Sequence, residues 1–302
     1  MQIYLLARRR NAYTTRRFVK TADEMGHELT VLDPLKCTLL LAEQGCRIFY
    51  EARPLALPGL LLGRVSSSTW SYGLAVIEQF ELLDVPVVNR SIAISRALDS
   101  VRSLQMLAAA GVPIAGSVML RSPRRLAEAL ELVGGPPVVL KLLKGNFEIG
   151  SILTDSHPAA ESTLETLWEL GQNILLQQFL PNRERGDIRV LVVDGRALAA
   201  IRRPPLTGVF RADIHQKSGG EAVELTPELA QIAVRAAAVL ELGFAGVDMQ
   251  EGPEGLVVTG VHASPGMKWI DRLGKIDAAA AVMEFAVRTV AGGPARPLEV
   301  RA

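Results

Sequence analysis

The chain has 302 residues, of which 49% are hydrophobic and 5% aromatic, and its formal net charge is +1. This length and composition predict two domains or one large multi-lobed unit around an aliphatic core. The nearly neutral charge does not favour nucleic acid as a partner, although short basic runs occur at Arg8-Arg9-Arg10 and Arg124-Arg125. No segment reaches the roughly 20 consecutive apolar residues that span a bilayer, so we expect no membrane partner.

The first third of the chain alternates predicted strands with predicted helices. The strands cover residues 2–7, 28–32, 60–63 and 86–89, and the helices cover residues 14–25, 72–83 and 91–110. This order is typical of a parallel βαβ arrangement. The loop Arg8-Arg9-Arg10-Asn11 lacks the glycine-rich dinucleotide fingerprint, so no nicotinamide site is predicted.

A smaller lobe is predicted after Gly111. Its strands cover residues 118–120, 138–143, 151–153 and 174–179, and its helices cover residues 122–132 and 159–170. The second of these strands carries Lys141. Residues 144–150 are expected to form a loop, and Leu180-Pro181-Asn182 is predicted to be a hinge.

The last third is predicted to contain two hairpins and two long helices. The strands cover residues 187–193, 196–202, 244–249 and 256–261, and the helices cover residues 226–242 and 276–290. Asp194-Gly195 joins the first strand pair, which is the strongest short-range hairpin signal. Gly252-Pro253-Glu254-Gly255 forms the turn of the second pair. Residues 207–220 are expected to form a polar loop.

Two cysteines, Cys37 and Cys46, match neither a zinc-binding spacing nor a disulfide framework. We interpret them as small buried hydrophobic residues in a reduced setting. The apolar start of the chain ends at Arg8, which is typical of a first strand rather than of a signal peptide. A cytoplasmic protein is therefore expected.

The stretch from Gly243 to Met267 carries most of the functional information. Side chains alternate faces along a strand, so Gly260 and His262 share one face, and Asp248 lies on the neighbouring strand. Carboxylates from two paired strands form a natural Mg²⁺ site, but here Asp248 is the only carboxylate. Because a lone aspartate is costly to bury without a partner, we expect Asp248 to face a pocket. His262 is a softer metal ligand or, as the favoured interpretation, a structural histidine.

These lobes in this order resemble the ATP-grasp fold, an α/β protein with α+β lobes and an N-terminal Rossmann-like pre-ATP-grasp domain. The closer resemblance is to the RimK-type alpha-L-glutamate ligases, with the lysine-biosynthesis ligases nearby. Each motif is weak alone, whereas their order and spacing are specific. The motifs are Asp33-Pro34-Leu35-Lys36-Cys37, Tyr72-Gly73, Gln79-Phe80-Glu81, Arg102-Ser103-Leu104-Gln105-Met106-Leu107, Val139-Leu140-Lys141-Leu142, Gly186-Asp187-Ile188-Arg189, Phe210-Arg211, Gly246-Val247-Asp248 and Ala263-Ser264-Pro265-Gly266. The domains expected from this resemblance are residues 1–95 (pre-ATP-grasp), 96–183 (small ATP-grasp lobe) and 184–292 (large ATP-grasp lobe).

The resemblance implies a ligase that joins a carboxylate to an amine through an acyl-phosphate formed from ATP. Its partners would be ATP, an amino acid such as glutamate, and a peptide or small-molecule carboxylate acceptor, and the chain would form a homo-oligomer. Phosphoryl transfer needs cations that neutralise charge on the transferring group. The resemblance supplies them as Lys141 on the α- and β-phosphates and Arg211 on the phosphate or acyl-phosphate.

The remaining site residues also follow from the resemblance. Gln178, Phe179 and Leu180 would form the adenine hinge, Asp187 would bind the ribose hydroxyls, and Asp248 would be the metal ligand. Two further nucleotide-binding candidates are Arg189 and Asp213, the latter where the family usually has Asn. The basic neighbours of Arg211 predict an anion pocket; they are Arg202, Arg203, His215 and Lys217.

The departures from the family pattern cluster at the chemistry. At the metal site, Gly260 stands where the family has a metal-bridging Glu, and His262 stands where it has a metal-binding Asn. At the nucleotide site, Ser100 stands in place of a lysine that binds ATP, and Gln178 stands in place of the hinge Glu. Glu148 would place an acid near the triphosphate, where like charges repel. Mg²⁺ would keep a single protein anion, which is too few unless ATP supplies the other ligands.

Three functions therefore stay open. The first is an active carboxylate–amine ligase with altered metal binding. The second is a degenerate ATP-grasp protein that binds a ligand or partner without catalysis. The third is a sensor that binds ATP or ADP without Mg²⁺. The fold is the same in all three and does not distinguish them.

Overall fold

The computed structural model describes residues 1–43, 45–65, 69–121, 123–144, 147–180, 186–204 and 219–292. The strands in these ranges are β1 (Gln2–Leu6), β2 (Glu28–Leu32), β3 (Cys37–Leu40), β4 (Arg47–Tyr50), β5 (Arg53–Pro54), β6 (Leu60–Leu62), β7 (Val87–Val88), β8 (Ser117–Met119), β9 (Val138–Lys144), β10 (Phe147–Thr154), β11 (Asn173–Gln178), β12 (Ile188–Val193), β13 (Arg196–Arg202), β14 (Glu221–Val223), β15 (Phe244–Gly252) and β16 (Gly255–His262). The α-helices are α1 (Tyr13–Glu24), α2 (Trp70–Leu82), α3 (Ser91–Leu98), α4 (Ser100–Ala109), α5 (Leu126–Leu132), α6 (His157–Glu169), α7 (Pro227–Val239), α8 (Lys268–Gly274) and α9 (Ala278–Ala291).

The N-terminal part contains a parallel sheet with strand order β2-β1-β6-β7. Strand β1 is apolar from Ile3 to Leu6 and buried throughout, as expected for a parallel strand that is covered on both faces. One face of the sheet packs against α1 and also against α9, from the far end of the sequence. The predicted parallel βαβ start is therefore confirmed.

The small lobe contains an antiparallel sheet with strand order β10-β9-β11-β8. Helices α5 and α6 cover one face of this sheet, where Leu140 and Leu176 are buried among helix side chains. Side chains alternate along a strand, so Lys141 lies on the opposite face, which these two helices leave open.

The large lobe contains a five-stranded antiparallel sheet with strand order β14-β13-β12-β15-β16. Helix α7 packs on one face and helices α8 and α9 pack on the other. Both predicted hairpins are present. The first turn has positive φ at Asp194 (52°) and Gly195 (67°), as a two-residue type I′ turn requires.

One sequence prediction needs correction, and some elements of the structure were not predicted. Residues 144–150 are not one loop, because Lys144 ends β9 and β10 already begins at Phe147. The small antiparallel sheet β3-β4-β5 was not predicted, since its short strands are partly exposed and lack a clear alternation. Helix α8 was not predicted either. Most of the predicted polar loop 207–220 lies outside the described residues.

Asn89 and Arg64 join the N-terminal sheet to the large lobe. The Asn89 side chain is buried, donates to the carbonyl oxygens of Phe244 (2.7 Å) and Ala263 (3.2 Å), and accepts from the Phe244 backbone N–H (3.0 Å). Arg64 donates to the carbonyl oxygens of Ser264 (3.3 Å) and Pro265 (3.2 Å). Its guanidinium lies within about 6 Å of the Phe244 ring centroid. No helix in the described ranges is long and apolar enough to cross a bilayer.

Candidate active site

Asp248 lies at the centre of a charged cluster on the large sheet. The register of β12 and β15 places Arg189 directly opposite Asp248. The two side chains form a bidentate ion pair, with Arg189 Nε donating to Asp248 Oδ1 (2.6 Å) and Arg189 Nη2 donating to Asp248 Oδ2 (2.7 Å). Asp248 is 6% exposed and Arg189 is 9% exposed, so this pair is buried. Planar bidentate pairing of this kind holds both side chains in one orientation.

Two further groups contact the same carboxylate. Arg203 Nη2 donates to Asp248 Oδ2 (2.7 Å), and His262 Nε2 lies 2.9 Å from that oxygen. Arg203 follows β13, and His262 ends β16, where it pairs with Gly246 of β15 two residues from Asp248. The His262 side chain is half-exposed, so it contacts both Asp248 and solvent, and its interpretation as a structural histidine stays a prediction.

The cluster extends through Asp187. Arg203 Nη2 donates to Asp187 Oδ2 (3.0 Å), and the Gln250 amide donates to Asp187 Oδ1. The Arg203 backbone N–H donates to the Asp187 carbonyl oxygen (2.8 Å). Gly186 makes this approach possible, because a Cβ atom there would lie 1.8 Å from the Arg203 carbonyl oxygen and φ is +81°. The two acids and two arginines are thus linked side by side.

The opposite charges of the cluster stabilise one another. Burial alone would raise the pKa of the Asp248 carboxyl, but Arg189, Arg203 and His262 outweigh burial and hold this pKa well below its usual range. Burial is the largest single influence on the pKa of Arg189 and lowers it, but the Asp248 and Asp187 carboxylates together raise this pKa above its usual value. Asp248 is therefore a carboxylate whose negative charge is already compensated by protein groups.

The described residues do not fit a divalent cation at Asp248. Its oxygens are bonded to three nitrogen-bearing side chains, and the facing position on β16 is Gly260, which supplies no ligand. Within the described part of the chain, no group of three or more His, Cys, Asp or Glu side chains is arranged to hold a metal ion. A Mg²⁺ ion needs several oxygen ligands, and Asp248 alone does not provide them.

The predicted nucleotide residues of the small lobe lie at its open face and its last strand. Lys141 is half-buried on β9, opposite Leu175 of β11. At the end of β11, the Gln178 backbone N–H donates to the Gly116 carbonyl oxygen (2.8 Å), and the Gln178 side chain accepts from the Gly116 N–H (3.4 Å). Phe179 is half-buried and Leu180 is buried. The Gln178 side chain is thus used to fix the chain at the predicted hinge.

Several predicted positions fall outside what the structure describes. Arg211 and Asp213 belong to residues 205–218, and the Glu148 side chain is also outside the described set. Ser100 begins α4, where the Asp99 side chain caps the helix by accepting from the Arg102 N–H (2.9 Å). The nucleotide and metal roles of all these residues stay predictions.

Sequence reasoning gave Arg203 no role beyond a basic neighbour and did not include Gln250. The alternation of side chains holds the signal that would have found the cluster. Asp187, directly before β12, is two residues from Arg189 of β12, and Asp248 and Gln250 share the matching face of β15. Once the two strands are aligned as antiparallel neighbours, the four side chains must meet.

This arrangement of a parallel N-terminal sheet, a small antiparallel lobe and a large antiparallel lobe defines an ATP-grasp protein. The ATP-grasp ligase PsnB complexed with minimal precursor has the same fold, with a TM-score of 0.74 at 20% sequence identity, covering 95% of this chain and 98% of that chain. A RimK domain protein from Sphaerobacter thermophilus has a TM-score of 0.69 at 23% identity, covering 95% of this chain and 100% of that chain.

The sequence narrows this class further. The RimK PreATP-grasp domain family matches residues 1–94, and the RimK-like ATP-grasp domain family matches residues 97–286. A probable alpha-L-glutamate ligase of Hydrogenovibrio crunogenus is 37% identical over 94% of this chain and 95% of its own length. A probable alpha-L-glutamate ligase of Thioalkalivibrio sulfidiphilus is 38% identical over 94% of this chain and 95% of its own length. The chain belongs to the RimK-like ATP-grasp ligase family.

Proposed function

We propose that the protein is an ATP-dependent carboxylate–amine ligase that adds glutamate to a peptide or small-molecule carboxylate. The observation that carries this proposal is the similarity to probable alpha-L-glutamate ligases over nearly the whole length of both chains. The known fold alone does not establish activity. The similarity that supports the proposal extends over both lobes and the N-terminal domain.

The proposed reaction has two steps. A carboxylate oxygen of the acceptor attacks the γ-phosphorus of ATP, so that an acyl-phosphate forms and ADP leaves. The amine nitrogen of glutamate then attacks the acyl carbon, loses a proton, and displaces phosphate. We assign Lys141 to the α- and β-phosphates and Arg211 to the transferring phosphoryl group, since each step needs cations or donors at developing negative charge. Asp213 is assigned to the surroundings of that group by the family resemblance alone.

We assign the adenine to the segment Gln178–Phe179–Leu180 and the ribose to Asp187. The buried Leu180 and half-buried Phe179 provide the dry surface that a purine requires. Asp187 is about one-third exposed at its side chain, so a hydroxyl can reach it, although Arg203 and Gln250 already use its oxygens. Arg189 supports this site through Asp248 rather than through the nucleotide.

We further propose that the metal site is altered. Arg203 supplies positive charge at the Asp248 position, and His262 adds a ring nitrogen in contact with it, where the family resemblance implies a metal ion. The enzyme then depends on protein cations there, and any Mg²⁺ that accompanies ATP relies on phosphate oxygens rather than on Asp248. A cytoplasmic location and a homo-oligomeric state belong to the same proposal.

The same cluster favours one alternative, a nucleotide-binding or partner-binding module without catalysis. A single experiment separates the two. Calorimetric titration with ATP is performed with and without Mg²⁺, and glutamate ligation to a peptide acceptor is measured under both conditions. Ligation supports the ligase, whereas binding without ligation supports the module. Absence of both binding and ligation contradicts the ligase and the nucleotide-binding module and leaves the partner-binding module.

A further inference from the structure

A shallow groove on the N-terminal domain combines basic side chains with an apolar floor. It lies between α1 and β2 and has a volume of about 490 Å³. We call it the basic groove. Its basic residues are Arg10, Arg16 and Lys20, and its other lining residues are Val19, Leu29, Thr30 and Val31. None of these residues has a role in the ligase site described above.

The positive charge of the basic groove is only partly compensated, by Glu24 at Lys20 and by Glu51, which lies near enough to Arg10 to interact with it electrostatically. Arg8 and Arg9 extend it at one end, and both are exposed, as are Arg10, Arg16 and Lys20. Lys20 pairs with Glu24 (3.1 Å), whereas no carboxylate in the described part of the chain lies within ion-pair distance of the four arginines. Since the whole chain carries a net charge of only +1, this is a local concentration of positive charge.

The floor of the groove is a sheet edge with open backbone groups. Strand β2 is the outermost strand of its sheet. The Glu28 N–H donates to the Met1 carbonyl oxygen, and the Leu32 carbonyl oxygen accepts from the Ala7 N–H, so both residues direct their backbone groups toward β1. Because backbone groups alternate sides along a strand, Leu29 and Val31 direct theirs away from β1. Arg10 Nη2 donates to the Val31 carbonyl oxygen (3.2 Å) from that outer side. Among the described residues, none pairs with the two backbone groups of Leu29 or with the Val31 N–H, so an added strand can use them.

The groove leads toward the side of the sheet where the lobes meet. The parallel strands β1, β2 and β6 end on the same side, and Arg8 and Arg9 follow β1 there. Arg64 follows β6 on this side and contacts Ser264 and Pro265 of the large lobe. In open α/β sheets, ligands bind outside the carboxyl ends of the strands.

We propose that the basic groove binds an extended acidic peptide as an added strand on β2. Its backbone pairs with Leu29 and Val31, its acidic side chains face Arg10 and Arg16, and intervening apolar side chains cover Val19. The open backbone groups favour a peptide over RNA, which has no amides to complete the ladder. That this peptide is the acceptor of the ligase rests on the proposed function.

The test measures binding directly, without nucleotide. The probe is a fluorescein-labelled peptide of alternating Glu and Val, about eight residues long, as strands commonly are. Fluorescence anisotropy compares wild type with the double variant Arg10→Glu/Arg16→Glu. The matched control is Arg47→Glu/Arg124→Glu, which changes the net charge equally at exposed arginines outside the groove. We expect an affinity loss of about tenfold or more in the groove variant alone.

Three other probes test the mode of binding. A Lys-Val peptide should bind at least about tenfold more weakly than the Glu-Val peptide, and so should a Glu-Val peptide with alternate amides N-methylated, which cannot pair with a strand edge. Equal losses in both protein variants, unchanged binding of the N-methylated peptide, or tighter binding of a single-stranded RNA octamer would each overturn the proposal.

Ligation assays separate this proposal from the function it rests on. If the peptide binds in the groove but neither the wild type nor any variant ligates glutamate, the ligase proposal fails and the groove proposal stands. If ligation to an acidic peptide acceptor proceeds with an unchanged KM in Arg10→Glu/Arg16→Glu, the groove proposal fails and the ligase proposal stands.

Discussion

The ion pair between Arg189 and Asp248 is expected to be the most sensitive contact of the site. In Arg189→Met, the buried Asp248 loses its bidentate partner, so we expect a loss of about 3–5 kcal/mol in the free energy of unfolding. Urea denaturation measures this loss. Arg124→Met, at an exposed arginine, serves as the control and should change stability by less than about 0.5 kcal/mol. A similar small effect in Arg189→Met would show that the pair is not essential for stability.

The same carboxylate should make stability depend on pH. The pKa of Asp248 is lower in the folded state than in the unfolded chain, where it is about 4. The stabilisation from this carboxylate is therefore fully present above about pH 4. This contribution is lost as the pH falls from there toward the folded pKa. Urea unfolding at several pH values below about 5 should therefore show a steeper decline for wild type than for Asp248→Asn. Parallel declines would contradict the assignment.

Restoring the family pattern tests whether three positions explain the altered metal site. In Ser100→Lys/Gly260→Glu/His262→Asn, we expect tighter binding of ATP in the presence of Mg²⁺, by about tenfold or more, because two oxygen ligands and a phosphate cation are added. A Cβ atom at Gly260 would meet only His262 Nε2, at 3.5 Å, so the larger side chain can be accommodated. Calorimetry with and without Mg²⁺ measures the effect. An unchanged affinity would show that these three positions do not cause the altered metal site.

At the scale of the elements, the hairpins were predictable and the functional contacts were only partly so. Asp194-Gly195 and Gly252-Pro253-Glu254-Gly255 fix their turns through local backbone preferences, which a sequence displays. The pairing of Arg189 with Asp248 depends on which strands are neighbours in the sheet, which local sequence does not state. His262 could be placed near Asp248 because both residues lie on adjacent strands of one hairpin.

Two errors at this scale have physical causes. Residues 147–150 were expected to form part of a loop, but β10 forms a ladder with β9 over most of its length, a pairing that local sequence does not state. The sheet β3-β4-β5 escaped prediction because only Cys37 and Ile48 of its strands are buried. With so few buried side chains, the hydrophobic period of two is absent.

At the scale of the whole molecule, Asn89 should couple the N-terminal domain to the large lobe. In Asn89→Ala, the buried backbone groups of Phe244 and the carbonyl of Ala263 lose their partners, so we expect a destabilisation on the order of 3 kcal/mol. The matched control is Asn173→Ala, whose side chain accepts from Arg121 near the surface and should cost less than about 1 kcal/mol. Urea denaturation measures both. Equal costs would show that the Asn89 contacts do not join the two parts.

The packing of α9 on the first sheet has a consequence for biosynthesis. One face of this sheet, with Ile3, Leu5 and Leu62, is completed by Ala279 and Met283, which the ribosome adds more than two hundred residues later. At usual rates of translation, these apolar side chains emerge on the order of tens of seconds before their cover exists. The nascent N-terminal domain therefore exposes part of this apolar face during most of the synthesis of the chain, and co-translational chaperones have a defined place to bind.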